Sequence, residues 1–169
     1  MKQINPEHIS ELKKIINHGP YFELLGMKVC ELRKGYAWVE ADLQKKHLNP
    51  FGVIHGGLYS SIIDTAAYWA MYSELDENIG FTTIDLSINY LSMIREGKII
   101  VEGKTIKTGR SICLAEAYVK DIHGKLLAHG TSKMMVLDGK QSVENIITSM
   151  GCRPLPPKFI EEAILFDGI

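Results

Sequence analysis

Cysteine is scarce in this 169-residue chain: Cys30, Cys113 and Cys152 stand singly, odd in number, with no C-x-x-C pair. That spacing excludes a disulfide framework and a thiolate metal site, and it fits a reducing, cytoplasmic compartment. Apolar runs long enough to span a bilayer, about 20 residues, are missing. The opening MKQINPEHISELKK also lacks the apolar stretch of a secretory leader. Nor is there an excess of one charge. Nineteen basic and 20 acidic side chains leave a net charge of −1, so no whole-molecule field recruits nucleic acid or an anionic membrane. Repeats, low-complexity stretches and long linkers are absent too. What remains is 46% hydrophobic and 23% charged residues, the composition of a globular domain large enough to bury a core without staples.

The hydrophobic pattern orders the elements. A first helix is predicted over 6–18: Asn5 caps it, Pro6 fits the first turn, Ile9, Leu12, Ile15 and Ile16 form the apolar stripe, and Gly19 ends it. LLGMKVCELRKGYAWVEADL reads as two strands hinged at Lys34-Gly35, with Val39, Ala41 and Leu43 alternating against Glu40 and Asp42. A long helix follows, about Leu58 to Glu74, apolar on nearly every side and therefore buried. FTTIDLSINYL, KIIVEGKTIKTG, SICLAEAYVKDIHG and KLLAHGTSKMMVL are four more strands, separated by turns too short for parallel pairing. These elements make an α+β domain over 1–138, an antiparallel sheet wrapped around the long helix. A C-terminal extension, 139–169, reads as helical in SVENIITSMG and in PPKFIEEAILF, broken by Pro154, Pro156 and Pro157.

Chemistry concentrates in NPFGVIHGGLYSSIIDTAAYWAMY, residues 49–72. Glycines at a helix start leave backbone N–H groups open to a ligand oxygen that gains negative charge. Eight positions after Gly56, Asp64 is the single carboxylate of an otherwise apolar helix. Burial there demands hydrogen bonds, with Ser60, Ser61 and Thr65 as near partners, or a catalytic role. Eight helical residues span about 12 Å, whereas one reacting carbonyl must lie about 3 Å from both its base and its oxyanion donor. A catalytic Asp64 is thus expected to serve a facing copy of the chain across a two-fold axis.

Asn49, Gly52, His55, Gly56, Gly57 and Asp64 form N-x-x-G-x-x-H-G-G followed by an acid seven positions on. This resembles the hotdog-fold acyl-CoA thioesterases of the phenylacetic-acid-pathway (PaaI-like) type, over about residues 20–138. The resemblance implies that Asn49 and the Gly56 amide polarise the thioester carbonyl, with His55 and Gly57 shaping the turn. It further implies that Asp64 of the facing subunit activates water or attacks directly, and that Thr83 orients the water. Arg110, after Gly109, is implied at the nucleotide end of coenzyme A, within a stretch (95–125) holding seven Lys or Arg against four acids. Tyr59, Ile63, Tyr68, Trp69 and Tyr90 are candidates for the acyl pocket. No metal and no cofactor beyond the coenzyme A of the substrate are implied; His47, His55, His123 and His129 lack the paired spacing of a zinc site. A homodimer or dimer-of-dimers tetramer is the implied assembly. Two alternatives stay open: a non-catalytic acyl-CoA sensor, which could dispense with Asp64, and an acyl-thioester dehydratase, which needs a His and an acid placed differently.

Overall fold

The computed structural model describes residues 2–161. In chain order the elements are β1 (Lys2–Ile4), α1 (Pro6–Ile16), α2 (Pro20–Leu25), β2 (Met27–Arg33), β3 (Tyr36–Asp42), α3 (Gly56–Tyr72), β4 (Ile79–Tyr90), β5 (Lys98–Lys107), β6 (Ile112–Asp121), β7 (Leu126–Asp138), α4 (Val143–Ser149) and β8 (Phe159–Glu161). Asn5 caps α1 by accepting from the Glu7 N–H, and Ile9, Leu12 and Ile16 are buried. The helix stops two residues short of its expected end at 18. Asn17 leaves it to pair with a strand: its carboxamide accepts from the Val29 N–H (2.8 Å) and donates to the Val29 carbonyl (3.2 Å). Leu24 and Leu25, read from sequence as strand, instead finish α2, which Pro20 opens and Gly26, at φ 62°, closes.

β2 to β7 form one antiparallel sheet in the order β2-β3-β5-β6-β7-β4, and α3 packs against all six strands. Alternation places Ala37, Val39 and Ala41 of β3, Val101 of β5 and Ala115, Ala117 and Val119 of β6 beneath the helix, fully or almost fully buried. The approach is close. A Cβ on Gly103 would stand 2.3 Å from the Ala66 carbonyl oxygen, so glycine in β5 and alanine in α3 together set the height of the helix above the sheet.

α3 is buried at Leu58, Tyr59, Ile62, Ile63, Ala66, Ala67 and from Trp69 to Tyr72. It is not covered all round, as its apolar character predicts. Gly57, Ser60, Ser61, Asp64, Thr65 and Tyr68 make a stripe at helical spacing that is only half-buried or exposed.

The extension departs further from expectation. SVENIITSMG does supply α4, with Ser142 as its cap and Val143 and Ile147 buried. PPKFIE is not helical. Phe159–Glu161 is β8, antiparallel to β1, and the rest of that expected helix lies outside the described residues. Pro157 disfavours helical backbone at Pro156, and Lys158 is drawn wholly inside the protein. Its Nζ donates to the Tyr72 and Leu75 carbonyls at the end of α3, 2.5 Å each, and lies 3.5 Å from the centre of the Tyr72 ring; its N–H donates to Glu77. Desolvation pushes the Lys158 ammonium down to about 7, while Glu77 and Asp76 pull in the opposite direction.

Candidate active site

The loop before α3 is closed by bonding between Leu48 and Ile54 and by the Asn49 carboxamide, whose Oδ1 accepts from Phe51 N–H (2.9 Å) and Val53 N–H (3.3 Å). That consumes the Asn49 oxygen internally and leaves its NH2 as the group able to hold a ligand oxygen. The left-handed turn falls at Gly52, φ 71°. Gly56 and Gly57 do not precede α3, as the sequence reading has it; they are its first two residues, because His55 is the cap. The His55 ring accepts from the Gly57 N–H at 2.8 Å. Their lack of a Cβ is steric: one on Gly57 would stand 2.9 Å from His55 Nδ1, and one on Gly56 3.2 Å from the Tyr90 ring. The Gly56 N–H has no acceptor among the described residues, so it remains an open donor at the positive end of a 17-residue helix.

Asp64 is half-buried on the open stripe, held by hydroxyls from two strands. Thr83 of β4 donates to its carboxylate, 3.0 and 3.1 Å from the two oxygens, and Ser132 of β7 donates to Oδ1 at 2.9 Å. The near helical hydroxyls play no part. Ser60, Ser61 and Thr65 donate instead to the carbonyls four residues back. Two donors leave a carboxylate with lone pairs to spare, and Thr83 Oγ1 can itself accept from a water beside Asp64.

Residues 51–128 match the thioesterase superfamily model. A candidate esterase of Saccharolobus solfataricus is 32% identical over 119 residues, which cover 70% of this chain and 84% of that one. The chain belongs to the thioesterase superfamily. A 1,4-dihydroxy-2-naphthoyl-CoA hydrolase of Listeria monocytogenes is 25% identical over 105 residues, 62% of this chain and 85% of that one. Among solved structures, a thioesterase of Haemophilus influenzae superposes with a TM-score of 0.74 at 20% identity, over 83% of this chain and 97% of that one. The fold is the hotdog, and the protein is a thioester hydrolase.

Within this thioesterase the expected pocket residues separate into two groups. Tyr59 and Tyr90, 6.0 Å apart between ring centres, meet at the start of α3, where with Ile54, Gly56, Leu91, Ser92 and Met93 they line a cavity of about 350 Å³. Tyr68 is not with them. It lies three turns on, edge-to-face with Trp69 and Phe81; burial raises its hydroxyl, like that of Tyr59, to about 12. Ile63 and Trp69 are core. Arg110 is exposed beyond Ile112, which faces Met135, the residue opposite Thr82; its turn is thus at the Asp64 end of the sheet, not the Gly56 end. The basic stretch is partly spent: Lys98 pairs with Glu40 and Asp42, and Lys120 with Glu102. Arg95, by contrast, reaches the Gly52 carbonyl at 3.5 Å, beside the loop that carries Asn49. Ser132 was absent from the sequence reading. Its signal was legible nonetheless: a serine in phase with Ala128, Gly130 and Met134, on the inward face of a strand.

Proposed function

We propose that this thioesterase hydrolyses an acyl-CoA, in the manner of the PaaI-like type, at sites shared between two facing copies. The observation that carries the reading is Asp64, a carboxylate kept half-open and oriented by two hydroxyl donors on a helix whose other exposed groups are uncharged. In the reaction, water bound between Asp64 and Thr83 gives a proton to Asp64 as its oxygen attacks the thioester carbonyl carbon. Negative charge gathers on the carbonyl oxygen at the Gly56 N–H and the Asn49 NH2 of the facing copy. Collapse breaks the carbon–sulfur bond, and the departing thiolate takes the proton from Asp64, giving free acid and coenzyme A. No further cofactor enters.

The shared site follows from length, since Gly56 and Asp64 of one copy are about 12 Å apart along the helix. Its support is β4, an edge strand with Ile84 and Tyr90 about half exposed, beside which a second copy can dock with α3 antiparallel to α3. Pairs of such dimers would form the tetramer. Arg110 and Arg95 are the cations offered to the phosphates of coenzyme A. A cytoplasmic location suits the exposed free thiol of Cys30.

Thiol release from an acyl-CoA panel tests the activity; silence across short, long and aryl chains would end it. Subunit mixing tests the sharing. Asp64→Asn and Asn49→Ala proteins, each inactive alone, should regain up to about a quarter of wild-type sites on exchange, and no recovery despite proven exchange would overturn the shared site.

A further inference from the structure

The open stripe of α3 has two flanks. At 3.6 residues per turn, Ser60 and Asp64 face one side and Ser61 the other, about 60° round the helix from Asp64. The first flank is bonded to β4, through Tyr90 to Ser60 and Thr83 to Asp64. The second is bonded to α2, where Tyr21 Oη lies 2.6 Å from Ser61 Oγ. Ser61 already donates its one proton to the Gly57 carbonyl at 2.9 Å, so the Tyr21 hydroxyl is the donor in this pair. α2 turns Phe22 and Leu25 toward the core and leaves Tyr21 and Leu24 outward, 53% and 60% exposed. An aromatic ring is therefore tethered, uncovered, one helical turn from the carboxylate.

We infer that Tyr21 and Leu24 form the wall against which the acyl group of the substrate lies, and that they select acyl groups with an apolar body over acetyl. The inference rests on the thioesterase reading of Asp64. Ser61 precedes Asp64 by about 4.5 Å of helix rise, so a thioester carbonyl at Asp64 brings the next few carbons of its acyl chain alongside the Tyr21 ring. The chemistry of the wall favours hydrocarbon over the amide-bearing arm of coenzyme A. It carries no charge, and its single polar hydrogen is spent on Ser61.

Steady-state kinetics with acetyl-CoA and hexanoyl-CoA read the selectivity directly. Tyr21→Ala and Leu24→Ala should each lower kcat/KM for hexanoyl-CoA by about tenfold, the scale on which an apolar pocket discriminates, and change acetyl-CoA by less than about twofold. Tyr21→Phe, which keeps the ring and loses the tether, should fall between wild type and Tyr21→Ala. Equal losses on both substrates, or none on either, would overturn the wall while leaving the thioesterase reading intact. A smaller species on size exclusion would assign the α2 face to contacts between copies and overturn it too. Absence of any turnover by the wild-type protein would sink both readings together.

Discussion

Two charges meet helix α3, and the protein treats them in opposite ways. Asp64 sits on the open stripe, half-buried, satisfied by side-chain hydroxyls from β4 and β7. Lys158 sits at the closed C-terminal end with no exposed surface, satisfied by the backbone carbonyls of Tyr72 and Leu75. Hydroxyls rotate and can share their hydrogen bonds with a substrate or water. Carbonyls at a helix end are fixed in place, and a cation there complements the helix dipole. On the proposed reading, the same helix presents one charge for chemistry and uses the other to lock the chain. Around Lys158 the lock joins the start of α1 to the segment before β8: Asn5 donates to the Pro157 carbonyl, and the His8 ring donates from Nδ1 to the Pro156 carbonyl while its Nε2 meets the Tyr72 hydroxyl.

If the contrast holds, the two charges fail differently when removed. Asp64→Asn should cut kcat by at least about a hundredfold while leaving urea unfolding unchanged; full activity in this variant would remove Asp64 from the chemistry. Lys158→Met should do the reverse. Orphaning two buried carbonyls costs about 2 kcal/mol of stability, with specific activity of the folded protein held within about twofold. A matching loss of activity would erase the distinction between the two ends.

Titration sharpens it. Lys158 holds its proton to about pH 7 when folded and to about 10.5 when unfolded. Below pH 7 both states are protonated and the pH profile is flat. From 7 to 10.5 the unfolded chain binds the extra proton, so stability rises with pH through that window. Wild type minus Lys158→Met should show this rise in unfolding free energy; a flat difference would mean the ammonium is not desolvated as its burial requires. The smallest effect belongs to Ser132→Ala, which removes one donor to Asp64. A drop in kcat of about tenfold is expected; unchanged kinetics would make Ser132 a packing residue only.

Much of this arrangement is visible in local sequence. Asn5-Pro6 announces α1, alternation announces β3, and PYFELLG carries both ends of α2 even though its leucines resemble a strand. The glycines of HGG are a subtler case. Their need is legible, but the reason, room for the His55 cap and the Tyr90 ring, appears only when residue 90 is folded against residue 56.

By itself, then, the sequence determined α1, the order of β2 to β7 around the long helix and the isolation of Asp64 within it, because turns and two-residue alternation depend on neighbours a few positions apart; β1, α2, β8 and the His55 cap of α3 came only with the structure. Tertiary structure decided who those groups meet. Thr83 and Ser132 reach Asp64 across 19 and 68 residues. β1 pairs with β8 from the far end of the described chain, and Lys158 caps a helix that ended 86 residues earlier. Such partners are chosen by sheet register and burial, which join residues with no local periodicity between them.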